Sequence, residues 1–203
     1  MGYIAIVDYG VGNLMSVENA LRYLGLRGKI TGEASQLDRA DAVILPGVGA
    51  FPDAWEKLQG KGLVPVLRRQ AEDKPVLGIC LGMQMLFQGS EEVRPCPGLG
   101  FIRGRVRRIE TACKLPHIGW NSLTFTHDSP LFQGIDSGAY VYFVHSFCGM
   151  AEDSAQVTAV TDYGTPVVAA VGQGNVYGTQ FHPEKSGEIG LQMLRNFGGL
   201  NLC

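Results

Sequence analysis

Several features that whole classes of protein need are missing from this sequence. No apolar stretch approaches the roughly 18 residues that a membrane-spanning helix requires. The opening Met1-Gly-Tyr-Ile-Ala-Ile-Val-Asp8 runs into an apolar segment with neither a basic region nor a cleavage site, so it does not read as a secretory signal. Position 6 is Ile where the myristoylation pattern begun by Gly2 wants Ser or Thr. Excess charge of one sign is absent too. The net charge is −2 over 203 residues, whereas nucleic-acid and membrane-surface proteins depend on clustered positive charge. The expectation is a cytoplasmic protein that binds neither nucleic acid nor membrane. One local basic run, Arg103, Arg105, Arg107 and Arg108, stands out. Alternation in an extended segment puts the first three on one face, which reads as a solvated surface or as a place for a partner.

Paired cysteines are lacking as well. The five present (Cys80, Cys96, Cys113, Cys148 and Cys203) are scattered, with no CxxC. They form neither a disulfide framework nor a zinc pattern, and no metal is expected. Four read as small apolar residues; Cys80 differs by its local sequence. A phosphate-cradling loop is missing too. Gly10-Val-Gly-Asn-Leu-Met15 has Met where a dinucleotide fingerprint needs Gly, and no GxxxxGK[ST] exists. No cofactor is signalled. Without linkers, repeats or low-complexity stretches, residues 1–203 read as one domain.

What is present is a chain with 45% hydrophobic residues, enough for a substantial core. The first half alternates strand and helix signals. Tyr3–Asp8 is an apolar strand, and Leu14, Val17, Leu21 and Leu24 recur at helical spacing up to Gly25. Lys29–Thr31, Asp41–Leu45 and Pro75–Ile79 predict further strands, with a helical region through Gln70 before the last. Continuous apolar strands separated by helices imply a parallel sheet covered on both faces. The second half predicts strands over Phe101–Ile109, Ser122–Thr126, Ala139–Phe147, Gln156–Thr161, Pro166–Gly172 and Asn175–Phe181, then a helix over Glu188–Phe197. The sum is a mostly parallel α/β sheet extended by antiparallel strands.

The segment Pro75-Val-Leu-Gly-Ile-Cys-Leu-Gly-Met-Gln84 carries the chemistry. A buried strand runs into Gly78-Ile-Cys80-Leu-Gly82 and a helix-compatible run follows, the pattern of a nucleophile elbow with Cys in place of Ser. Such a turn strains the nucleophile's backbone and leaves no room for side chains two residues away on either side. It also sets the sulfur at a helix N-terminus, where the dipole favours thiolate. The plainer alternative is a buried Cys beside a Gly-rich turn. A thiolate needs a base, and the base an orienting group. His182 ends an apolar strand in Gln180-Phe-His-Pro-Glu184, and Glu184, two residues on, points the same way. His127 lies in a polar turn, while His117 and His145 sit in apolar strand patterns that suit satisfied core histidines. Developing negative charge needs donors. The elbow supplies the N–H of Leu81. The loop Pro46-Gly-Val-Gly-Ala-Phe51, at the same carboxyl edge, offers that of Val48 or Gly49.

These residues together resemble the class I (triad) glutamine amidotransferase family, and within it the glutaminase subunits of imidazole glycerol phosphate synthase, which serves histidine biosynthesis. The likeness runs nearly end to end: Asp8-Tyr-Gly-Val-Gly-Asn-Leu14, Leu45-Pro-Gly-Val-Gly49, Gly78-Ile-Cys-Leu-Gly-Met-Gln84, Ser90-Glu-Glu92, Pro116-His-Ile-Gly-Trp-Asn121, Tyr142-Phe-Val-His-Ser146 and Gln180-Phe-His-Pro-Glu-Lys-Ser186. The resemblance implies a flavodoxin-like three-layer α/β/α fold and a Cys80–His182–Glu184 triad. It implies that Gly47, Gln84 and Glu92, with the backbone of Ser146 and Phe147, hold the substrate glutamine. It further implies that Asn13, Trp120, Tyr142 and Lys185 face a (β/α)8-barrel synthase partner through which ammonia travels, and that the PGVG loop needs the partner's ligand before its oxyanion donor turns inward. The stretch Glu92–Gly98 departs from the family pattern. Other readings are a glutaminase serving an anthranilate, GMP or pyridoxal phosphate synthase, a non-catalytic relative, or a cysteine peptidase.

Overall fold

The computed structural model describes residues 2–200; Cys203 lies outside them. Five strands, β1 (Ile4–Val7), β2 (Gly28–Thr31), β3 (Ala42–Gly47), β4 (Val76–Cys80) and, much later, β14 (Val176–Thr179), pair in parallel. The full sheet runs β2-β1-β3-β4-β14-β13-β12-β9, its last three strands antiparallel: β9 (Thr124–Phe125), β12 (Val157–Asp162) and β13 (Pro166–Gln173). Side chains alternate between the two faces. Ala5, Val7, Val43 and Leu45 pack with Leu37, Leu58 and Leu67. Those three come from α2 (Ala34–Arg39), α3 (Phe51–Gly60) and α4 (Leu63–Asp73). On the other face Ile4, Ile6, Ile44 and Leu77 pack with Val17 and Leu21 of α1 (Leu14–Tyr23) and Leu194 and Phe197 of α6 (Gly187–Gly199). The expected three layers result. Each fully buried Leu, Ile, Val or Phe contributes about 1.5–3 kcal/mol, so the apolar central strands anchor the edge at which they end.

Local sequence explains most boundaries. Helix α1 buries Val17, Ala20 and Leu21 and stops before Gly25, whose φ of 73° only glycine adopts freely. The helical region expected through Gln70 is two helices, broken at Lys61-Gly62, where Gly62 is left-handed (φ 67°). Short elements escaped the sequence reading: α2, β5 (Phe87–Ser90), β6 (Cys96–Pro97) and β8 (His117–Ser122), while the helix-compatible run expected after the elbow is the short α5 (Leu81–Met85).

The later strands also divide more than expected. The segment read as one strand through Phe147 is two, β10 (Tyr140–His145) and β11 (Phe147–Ala151). Among the described residues β10 pairs only with β8, in a two-stranded antiparallel ribbon, while β11 joins β7 (Ile102–Arg108), β5 and β6 in a four-stranded sheet. On β7 the arginines do lie outward, and Arg105 and Arg107 share Glu91, at 3.6 and 3.0 Å. Cys96 and Cys148 are buried, as small apolar residues are; Cys113 is exposed.

Candidate active site

Cys80 ends β4, between β3 and β14, with Gly47 its partner across β3. Its backbone lies at φ 56°, ψ −110°, a conformation that non-glycine residues adopt only under strain. The flanking glycines are steric necessities. A Cβ on Gly78 would stand 2.6 Å from the Gly82 carbonyl oxygen, and one on Gly82 would stand 1.8 Å from the Leu45 carbonyl oxygen. The turn is therefore wedged against β3 as well as folded on itself. The sulfur is nearly buried, at the N-terminus of α5.

His182 follows β14 at the same edge. Its Nδ1 lies 2.8 Å from Glu184 Oε1, and both side chains are almost completely buried (2% and 1% exposed). That bond fixes Nδ1–H as donor and leaves Nε2, which has no other partner, as the nitrogen available to the sulfur. Burial lowers the pKa of His182, but the nearby Cys80 sulfur and the Glu184 carboxylate outweigh it and push the value up to about 9. The turn is held from β10: the His182 N–H donates to the Tyr142 carbonyl at 3.0 Å, and Ser186 Oγ accepts from the Tyr142 N–H at 3.0 Å.

A cavity of about 370 Å3 opens over the sulfur. Its walls include Val48 and Gly49 of the loop after β3, Leu81 and Gln84 of α5, and Glu92. Ser146, Phe147 and His182 close it from the opposite side. Gly47 is buried beneath: a Cβ there would meet Tyr9 Oη at 2.8 Å and the Gly82 nitrogen at 2.9 Å. Gly49 has φ 95°, a backbone conformation that glycine alone adopts freely, and nothing lies within 4 Å of where its Cβ would stand. Glu92 accepts from the Phe51 N–H at 2.9 Å, tying the unfamiliar 92–98 stretch to the start of α3. That stretch is anchored further by an Arg94–Glu56 ion pair and by β6. Gln84 donates from Nε2 to the Phe147 carbonyl at 2.9 Å.

Three cavity residues were not expected at the site: Pro116 and Val144, noted only within longer family segments, and His145, read as a core histidine. Gln180, 3.8 Å from the sulfur through Nε2, was missed as well. Its position two residues before His182, on the same side of an extended segment, was the available signal. His117 and His145 are buried and bonded to one another, as core histidines should be. His127 is tied through Nδ1 to the Val157 carbonyl at 2.8 Å rather than merely solvated. It borders a larger hollow of about 570 Å3, whose lining holds no cysteine and no second histidine.

Of the residues expected at a partner face, Trp120 and Tyr142 stand directly opposite each other on β8 and β10, rings 6.1 Å apart. With Ile118 and Tyr140 they make the ribbon's outer face apolar, and Trp120 is 55% exposed. Asn13 precedes α1 without capping it, and Lys185 is exposed on the turn after His182.

The family description "Glutamine amidotransferase class-I" matches residues 5–199. A Bacillus cereus protein named imidazole glycerol phosphate synthase subunit HisH is 50% identical over 198 residues, covering 97% of this chain and 94% of that protein. A Bacillus anthracis protein of the same name is 48% identical over the same shares. Among solved structures, a putative GMP synthase subunit from Thermoplasma acidophilum superimposes with TM-score 0.75 at 25% identity, covering 100% of this chain and 94% of that one. PurLQS from Thermotoga maritima gives 0.76 at 22% identity, over 97% of each chain, a likeness of fold. A near-complete match to the family and half-identity to curated members lead to one statement: the chain belongs to the class I glutamine amidotransferases.

Proposed function

We propose that this protein hydrolyses glutamine to glutamate and ammonia through Cys80, His182 and Glu184, and hands the ammonia to a (β/α)8-barrel synthase that makes imidazole glycerol phosphate in histidine biosynthesis. The observation that carries the reading is the buried His182–Glu184 pair at 2.8 Å, with its free Nε2 in the same cavity as the Cys80 sulfur. The Cys80 thiolate attacks the carboxamide carbon of glutamine, and the carbonyl oxygen takes the negative charge. The N–H groups of Leu81 and of Val48 or Gly49 stabilise that oxygen. Protonated His182 gives its Nε2 proton to the nitrogen as the C–N bond breaks, releasing ammonia and leaving a thioester. Neutral His182 then removes a proton from water, the hydroxyl adds to the thioester carbon, and glutamate leaves as the sulfur recovers its electron pair.

Gly47, Gln84 and Glu92, with the backbone of Ser146 and Phe147, orient the substrate. Trp120 and Tyr142, flanked by Asn13 and Lys185, meet the partner. The half-identity to proteins named as subunits of imidazole glycerol phosphate synthase supports this assignment of partner. The test is Cys80→Ala in the reconstituted pair. Glutamine-dependent synthesis is abolished while ammonia-dependent synthesis by the partner continues. Loss of both together, or survival of glutamine hydrolysis, would sink the reading.

A further inference from the structure

Gln180 is fully buried where β14 gives way to the His182 turn. Its amide is committed at both ends. Nε2 donates to Cys80 Sγ at 3.8 Å, and Oε1 accepts from Gln84 Nε2 at 3.1 Å. An amide has an acceptor end and a donor end of nearly equal shape, so something must decide which faces the sulfur. A backbone carbonyl decides it. Phe147 O accepts from Gln84 Nε2 at 2.9 Å and from His145 Nδ1 at 2.8 Å. Because a carbonyl only accepts, Gln84 presents its nitrogen there. The second hydrogen on that nitrogen goes to Gln180, which presents its oxygen, and the Gln180 nitrogen is left for the sulfur.

The other arm follows the same logic outward. His145 donates from Nδ1, so in the neutral ring Nε2 accepts, and His117 Nδ1 donates to it at 3.1 Å. His117 Nε2 then accepts from Asn121 Nδ2 at 3.3 Å, which also donates to the Asp162 carbonyl at 2.7 Å. The His117 ring is fixed between Tyr163 and Phe143, at 3.9 and 4.7 Å. Burial disfavours a charged imidazole in both rings, holding His117 below its ordinary range and His145 at about 4. With both rings neutral, one pattern of donors satisfies every bond in the chain.

We propose that Gln180 is a further catalytic residue whose amide N–H stabilises the Cys80 thiolate. In the same scheme Gln84, His145 and His117 are positioning residues that hold this donor toward the sulfur through the Phe147 carbonyl. The proposal rests on Cys80 being the nucleophile. A hydrogen bond to the charged form of a group favours that form, and the thiolate is the form that attacks and the form that leaves when the thioester is cleaved. The other titratable groups facing the sulfur or its cavity are His182, backed by Glu184, Tyr9 of the loop after β1, His145 and Glu92. None of them is altered when Gln180 is replaced.

The experiment is alkylation of the full-length protein by iodoacetamide from about pH 6 to about pH 10, followed by mass spectrometry on the Cys80 peptide so that the other cysteines do not interfere. Gln180→Met keeps the side-chain length and removes the amide. The alkylation rate at neutral pH falls about tenfold, the scale of one hydrogen bond to a charged group. At the alkaline end, where either protein holds thiolate, the two rates converge. His117→Leu gives the same pattern at about threefold, and His117→Gln, which keeps a donor, restores most of the rate. Superimposable profiles for Gln180→Met, or a drop equal at every pH, would overturn the proposal. If Gln180→Met fails to fold by circular dichroism, Gln84→Met removes the group that orients Gln180 and is read by the same two outcomes. The assignment of the nucleophile is tested apart: glutamine hydrolysis surviving in Cys80→Ala defeats that assignment. An inactive Cys80→Ala beside an unchanged Gln180→Met profile defeats the role of Gln180 alone.

Discussion

The two walls of the cavity over Cys80 are built in different ways. On the elbow side, β3, β4 and α5 approach so closely that a methyl group on Gly82 would fall 1.8 Å from a neighbouring carbonyl oxygen. On the ribbon side, Gly119 of β8 has an equally unusual φ, 129°, yet nothing lies within 4 Å of where its Cβ would be. The first wall holds its shape by contact between backbones. The second is held by side-chain bonds on its inner face, while its outer face carries the exposed Ile118, Trp120 and Tyr140. A backbone wall can keep a strained residue such as Cys80 in place; a two-stranded ribbon, marginal on its own, can be steadied by a surface laid against it.

Substitutions should separate the walls. Gly82→Ala is expected to cost more than about 3 kcal/mol of stability, because backbone and not a flexible side chain stands in the way. Gly119→Ala should cost only the strain of its φ, about 1–2 kcal/mol. Urea unfolding of the two variants measures both, and equal losses would break the comparison.

On the proposed mechanism, Glu184→Gln should lower kcat/KM for glutamine about a hundredfold while leaving the protein folded, since it removes the carboxylate bonded to His182 Nδ1. It should also move the alkaline fall of activity below the pH of about 9 at which wild-type His182 loses its proton. The sign for stability follows from the same shift. A histidine whose folded pKa is raised stabilises the fold fully below the unfolded value of about 6.5 and loses that contribution as pH rises through about 9. Unfolding midpoints of wild type should therefore decline across that window, and those of Glu184→Gln should decline less.

Trp120→Ala tests the outer face of the ribbon. Affinity for the synthase partner should fall roughly thirtyfold, as for an aromatic anchor at an interface, with the isolated chain unfolding within about 0.5 kcal/mol of wild type. Titration calorimetry beside thermal melts would show it, and an unchanged affinity would remove Trp120 from the interface. Smallest of all, Arg107→Ala should move stability by no more than about 0.5 kcal/mol, because its pair with Glu91 is exposed to water. A larger loss in a denaturation curve would mean that the basic face of β7 does more than stay solvated.

How much could be read in advance followed sequence distance. β1, β3 and β4 are unbroken apolar runs buried on both faces, and the composition of such runs alone marks them as strands. The elbow and the His182–Glu184 pair were legible because each is defined within a few consecutive residues. The ribbon was not: His117–Ser122 contains a glycine and mixes buried and exposed positions irregularly, and its only partner strand lies beyond β9. β5 and β6 are four and two residues long, too short for any period to show. Gln180 went unread because a lone glutamine at a strand end has no chemistry until its neighbours are known, and the sulfur it touches is 100 residues away.

That separation bears on the making of the chain. In the sheet β14 lies against β4, yet 95 positions of sequence separate Cys80 from Val176, where β14 begins. While the polypeptide emerges from the ribosome, Cys80 is made long before His182. On the proposed mechanism, a nascent or truncated form lacking β14 and the turn after it carries the Cys80 sulfur with neither imidazole nor amide beside it, and cannot drain glutamine into unclaimed ammonia.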